Sequence, residues 1–112
     1  MTREIGSVDD AVDVLIEQMQ QSEIYKEYVA QKHRVETDSE CVEKIRRYRN
    51  LSQEIQNMSD EERVNSGFRI ENELDEICSD GRVLDYVQAE VDFARMFQRA
   101  QQKVNDAIEM ID

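Results

Sequence analysis

The chain has 112 residues, of which 36% are charged, with a formal net charge of -12, three glycines and no proline. Apolar residues are spread along its whole length, which favours one small domain over residues 1–112 with a modest core. The acidic balance argues against direct nucleic-acid binding, because phosphate contacts need clustered Lys and Arg. No window is apolar enough for a membrane span or a signal peptide, so we expect a cytoplasmic protein without membrane contact.

Two short helices are predicted at the start of the chain. Ser7 can cap the first, over about 8–20, in which apolar residues recur every three to four positions. Ser22 offers the cap of the second helix, which is expected to end near Glu36. The spacing of apolar residues therefore predicts two amphipathic helices separated by a tight break.

The third and fourth helices each begin with a capping-box pattern. In residues 37–40, the Thr37 hydroxyl and the Glu40 carboxylate can each satisfy a backbone amide of the first turn. The apolar stripe that follows runs over 42–58. Residues 59–62 repeat the pattern with three acids that suit the positive end of a helix dipole.

The last helix is predicted to be the longest element of the fold. Gly81 is the expected left-handed stop of the fourth helix, and nothing breaks a helix over 82–111. Thirty helical residues reach about 45 Å, which exceeds the width of a compact domain of this size. Part of this helix is therefore expected to contact a second subunit. The residues on which we expect this pairing are Val87, Val91, Phe93, Ala94, Phe97 and Val104. No segment has the alternating pattern of a strand.

The two cysteines, Cys41 and Cys78, lie far apart without a CxxC spacing, so neither a disulfide scaffold nor a one-chain zinc site is indicated. Core packing is the favoured interpretation of both, although Cys41 lies near a helix start, where the dipole can lower a thiol pKa. An iron–sulfur cluster usually needs four ligands, so it would require cysteines from two or more subunits. That arrangement defines the alternative function, a redox or iron–sulfur sensing metalloprotein.

Ordinary catalytic groups are scarce. The one histidine, His33, is expected on a solvated helix face, and no glycine-rich loop is present that could cradle a phosphate. The basic cluster consists of Lys44, Arg46, Arg47 and Arg49. Salt bridges within the bundle or to a partner are favoured for it over RNA contact, and an RNA-binding module is the third possibility. No catalytic residue, metal site or cofactor is predicted.

Five segments share a recognisable order and spacing, SEIYKEY (22–28), DSE (38–40), LSQEIQN (51–57), VLDYVQAE (83–90) and FARMF (93–97). In this order they resemble the YlbF/YmcA (Com_YlbF) family of small helical bacterial regulators. Together with the helical periodicity, the resemblance implies an all-α fold. We expect an elongated antiparallel bundle of about five helices that has a long C-terminal helix and forms oligomers.

The resemblance also implies a function. Relatives act as non-enzymatic adaptors that assemble with other family members and with a PSP1-domain protein. They modulate ribonuclease Y and thereby mRNA processing, competence, sporulation and biofilm formation. Family members commonly place a proline before the last helix, where this chain has Gly81 and Arg82. The C-terminal cysteines linked to iron–sulfur binding in relatives have no counterpart in residues 108–112, so that property is not carried over.

Overall fold

The computed structural model describes residues 6–108, which form five α-helices and no strand. The helices are α1 (Val8–Gln21), α2 (Glu23–Glu36), α3 (Ser39–Gln56), α4 (Asp60–Cys78) and α5 (Gly81–Ile108). The predicted all-α fold with five helices and a long last helix is confirmed. The predicted extension of α5 to Ile111 lies outside the described residues.

Serine side chains begin three of the five helices. Ser7, Ser22 and Ser59 each accept a hydrogen bond from the backbone N–H three positions later, at 3.1 to 3.2 Å. Each bond satisfies one of the amides that a first helical turn leaves unpaired. These three caps are confirmed as the sequence predicted them.

The cap of α3 is Asp38 and not Thr37. One carboxylate oxygen of Asp38 accepts the N–H groups of Glu40 at 3.0 Å and of Cys41 at 3.2 Å. Thr37 instead closes α2 in right-handed helical geometry. The predicted capping box was wrong by one residue. The Asp38 carboxylate accepts two backbone N–H groups of the first turn, whereas Thr37 precedes the N-cap position of α3 by one residue.

Gly81 opens α5 and is not the left-handed stop of α4. Ser79 ends α4 with right-handed geometry, and the Asp80 carboxylate accepts the backbone N–H of Arg82 at 3.1 Å. The Asp80 carbonyl accepts the N–H of Val83, also at 3.1 Å. The turn is therefore stabilised by an aspartate cap, and no glycine in left-handed geometry is needed.

The core lies where α2, α3, α4 and the first half of α5 meet. Its buried side chains are Val35, Cys41, Ile45, Leu51, Ile70, Ile77, Val83, Tyr86 and Val87. The Phe93 ring stacks on Tyr28 with ring centroids 5.3 Å apart and contacts Tyr25 at 5.5 Å. The expectation that Tyr25 and Tyr28 brace α2 against the bundle is confirmed.

The molecule is long and flat, with extents of 54 × 41 × 16 Å and a radius of gyration of 18.4 Å. A compact domain of this length would have a radius of gyration of about 13 Å. The difference arises at one end, where α1 packs only against α2. The 14 residues of α2 span about 21 Å, half of the roughly 42 Å of α5, so α2 cannot cover the whole of α5.

Candidate functional surface

Helix α1 leaves its apolar stripe exposed. None of its residues is buried, although its sequence is strongly amphipathic. The exposed apolar side chains of α1 are Val8, Val12, Leu15 and Ile16. An amphipathic helix in a monomer normally buries this stripe, so this face is a candidate contact surface.

The second half of α5 is uncovered in the same way. The buried residues of α5 end at Ala89. Beyond it, Phe97 and Val104 are each 54% exposed and Ile108 is 59% exposed. These side chains recur at helical spacing, so they form one continuous apolar line along the projecting half of the helix.

A groove separates α1 from this half of α5. Leu15 and Met19 line one wall, Phe97, Ala100 and Val104 line the other, and the space between them measures about 320 Å³. No Cα atom of α1 comes within 8 Å of one in α5 in the part of the chain that the structure describes. The two apolar faces therefore lie on opposite sides of the groove without close backbone contact. This leaves room in the groove for side chains of another molecule.

The six residues predicted for pairing divide into two groups. Val87 is 8% exposed and belongs to the core, and the Phe93 ring is held between α2 tyrosines. Neither is therefore available as an open contact. Val91, Ala94, Phe97 and Val104 are exposed. The sequence analysis did not include α1, although its apolar spacing over 8–19 carries the same signal as that of α5.

The basic cluster on α3 is paired with acids. The ion pairs are Lys44–Asp80 at 3.0 Å, Arg46–Glu43 at 2.8 Å, Arg47–Glu73 at 3.2 Å and Arg49–Glu90 at 2.6 Å. The favoured interpretation, salt bridges within the bundle, thus describes all four bases. A cluster whose charges are balanced in this way attracts phosphate groups less than a free basic patch does.

Arg82 joins the two helix turns at the other end of the molecule from the groove. Its guanidinium contacts Asp38 of the α2–α3 turn at 2.7 Å and Asp80 of the α4–α5 turn at 3.0 Å. Lys44 reaches the same Asp80 carboxylate. Hydrogen bonds from Arg82 and then Lys44 hold the pKa of Asp80 well below its usual value. The amide of Cys41, and then Arg82, lower the pKa of Asp38.

The two cysteines differ in depth. Cys41 is fully buried in the core and Cys78 is half-buried. Burial raises the pKa of both thiols, so the Cys41 thiol does not have the lowered pKa that its place near a helix start could have given it. His33 is exposed and lies 2.8 Å from Glu36. Among residues 6–108, His, Cys, Asp and Glu side chains form no group of three or more that could hold a metal ion.

None of the described helices has a stretch long and apolar enough to cross a bilayer. A separate apolar patch lies on α4, where Val64 and Phe68 are 83% and 75% exposed.

One family model matches residues 8–109, and its description reads control of competence regulator ComK, YlbF/YmcA. No match was found among curated proteins or among solved structures.

Proposed function

The chain belongs to the YlbF/YmcA family, whose description is that of competence regulators, and from this premise we propose that it is a non-enzymatic adaptor. It acts through protein–protein contacts. The observation that carries the proposal is the open end of the molecule, which we define as α1 together with residues 91–108 of α5. Its apolar stripes have no cover within the described chain, and exposed patches of this kind mark interaction sites.

The first partner in this proposal is another copy of the chain. Phe97 and Val104 stand on the projecting half of α5, beyond the reach of α2, and a second subunit would remove them from water. Val91 and Ala94 extend the same surface toward the core. The self-associating surface is thus proposed for the exposed four of the six residues that the sequence indicated, and not for Val87 or Phe93.

The second partner is a larger machine that the oligomer recruits or modulates. By its resemblance to the family, the chain is proposed to meet other family members, a PSP1-domain protein or ribonuclease Y, and so to influence mRNA processing and development. Its effect on RNA is proposed to be indirect. The net charge of -12 and the pairing of the α3 bases support a protein target over a phosphate backbone.

An affinity pull-down from native cells, performed anaerobically, tests this function. The bait is the full chain, and the matched bait carries Phe97→Asp, which places a charge on the open end without touching the core. Mass spectrometry of the eluate is expected to recover ribonuclease Y, a PSP1-domain protein or a family member with the wild-type bait. Recovery of untagged copies of the chain is expected to fall with the variant.

Two results would contradict the proposal. If the wild-type bait returns only itself, the adaptor role is wrong even if self-association stands. If the eluate is brown and the colour disappears with Cys41→Ser or Cys78→Ser, the iron–sulfur alternative replaces it. Absorbance of the anaerobic eluate distinguishes these cases.

A further inference from the structure

A cavity lies between α2, α3 and the first half of α5, away from the open end. It measures about 270 Å³ and is partly open to solvent. Its floor consists of the buried core side chains Val35, Ile45 and Tyr86, and the half-buried Val42 also lines it. An apolar cavity of about 150 Å³ can hold a benzene ring. The space between these helices therefore has room for an apolar body of that size with several further atoms.

The exposed side chains that line this cavity are mostly basic. Lys32 comes from α2, and Arg46 and Arg49 come from α3. One acid, Glu36, also lines the cavity, so positive charge is in excess there. The whole chain has a net charge of -12, so the sign of the lining is opposite to that of the molecule. A cavity with a basic lining favours an anionic ligand.

The polar groups around the cavity have donors to spare. Within residues 6–108, the Lys32 ammonium forms no ion pair and the Asn50 amide forms no hydrogen bond. Arg46 and Arg49 each use only one terminal nitrogen for their acidic partners. A guanidinium has five N–H donors, so both arginines keep further N–H groups with which to bind an anion.

We infer that this cavity binds a small carboxylic acid with an apolar body. The apolar body lies on Val42, Ile45 and the Tyr86 ring, and the carboxylate accepts hydrogen bonds from the basic side chains. A carboxylate fits the planar fork of a guanidinium, and its single charge suits a lining that contains Glu36 better than a doubly charged phosphate does. The site goes beyond the adaptor function, because none of its residues belongs to the open end.

Titration of the full chain with phenylbutanoate, followed by two-dimensional NMR of the backbone amides, tests the site. We expect saturable binding with a dissociation constant of about 1 mM or lower. The largest shifts are expected within residues 32–50 and around Tyr86. Phenylbutanamide has the same body without the charge, so it is expected to bind at least about fivefold more weakly. Acetate, which supplies the carboxylate alone, is expected not to saturate the site in the same range.

Two charge variants of α2 isolate the contribution of the carboxylate. Lys32→Glu places an acid in the lining and is expected to weaken phenylbutanoate binding at least about tenfold, because like charges then meet. Lys26→Glu makes the same change of charge on the same helix, outside the lining, and is expected to bind like the wild type.

A third variant tests the apolar part of the cavity. Val42→Phe fills the space with a ring, so it is expected to abolish saturable binding of both the acid and the amide. Far-UV circular dichroism checks that every variant keeps its helices. If a variant unfolds, the shift map and the comparison of acid with amide on the wild type still decide.

Several results would overturn the inference. These are phenylbutanoate binding that does not saturate below about 10 mM, equal affinities of acid and amide, and equal losses in Lys32→Glu and Lys26→Glu. Shifts centred on residues 91–108 would place the ligand in the groove of the open end and would also overturn it. The adaptor proposal is tested separately, because its pull-down depends on Phe97 and not on this cavity.

Discussion

Helices at both ends of this molecule have the same apolar periodicity, but their apolar faces are buried at one end and exposed at the other. At the packed end, stripes of α2, α3, α4 and the first half of α5 bury Val35, Ile70 and Val83 almost completely. At the open end, α1 buries no residue and Phe97 remains 54% exposed. The spacing of apolar residues thus predicts which face of a helix is apolar. The lengths of the neighbouring helices decide whether that face is covered.

The ends also differ in their charges. At the packed end, the ion pairs of Arg82 join the α2–α3 turn to the α4–α5 turn, and the Asp80 carboxylate, whose side chain is 13% exposed, is held between Arg82 and Lys44. At the open end, Arg95, Arg99 and Lys103 of α5 form no ion pair with any of the described residues. Ion pairs between helices therefore stabilise the fold at the packed end.

The largest expected effect comes from removing a core side chain at the packed end. Ile70→Ala is expected to lower the free energy of unfolding by about 3 kcal/mol, because the fully buried side chain leaves a cavity. Val104→Ala, at the open end, is expected to change it by less than about 0.5 kcal/mol in the monomer. Urea denaturation at low protein concentration measures both. Equal losses would mean that the two ends do not differ as described.

A smaller loss of stability is expected when the Arg82 link between the α2–α3 and α4–α5 turns is removed. Arg82→Ala leaves Asp38 and Asp80 without their shared guanidinium, so the melting temperature is expected to fall. Arg46→Ala removes an exposed ion pair with Glu43 and is expected to have little effect. Differential scanning calorimetry compares the two variants. An Arg82→Ala protein as stable as Arg46→Ala would contradict a structural role for the link.

The same link predicts an acid dependence of stability. The pKa values of Asp38 and Asp80 are lowered in the folded state, so their contribution is complete above the unfolded-state value of about 4. It is lost as the pH falls below that value and both carboxylates become protonated. Chemical denaturation between about pH 6 and about pH 3 should show a steeper loss for the wild type than for Asp80→Asn. If the free energy of unfolding falls equally with pH in both proteins, Asp80 does not contribute to the acid dependence of stability.

Local sequence signals predicted the helices well because caps and periodicity are local properties. Ser7, Ser22 and Ser59 each lie next to the amides they satisfy, and α2 ends at Glu36 as expected. The turn at Gly81 was misread because glycine suggests left-handed geometry. The choice of cap instead depended on Asp80, which also bonds to a distant lysine.

Contacts between distant segments could not be read from the sequence. Arg82 and Asp38 are 44 positions apart, and only the packing of α3 against α5 brings them together. The same packing decides that Val87 lies in the core while Val91, one turn later, is exposed. Both residues occupy the predicted stripe, and which of them faces solvent depends on the helices that pack beside each one.

The most direct test of the open end as the self-association surface is the native mass of three proteins at several concentrations. These are the wild type, Phe97→Asp and Phe68→Asp, the last placing the same charge on the separate and more exposed apolar patch of α4. We expect a wild-type dimer or larger species, an unchanged Phe68→Asp, and a Phe97→Asp monomer with wild-type helicity. A Phe97→Asp protein with the wild-type mass would contradict the account.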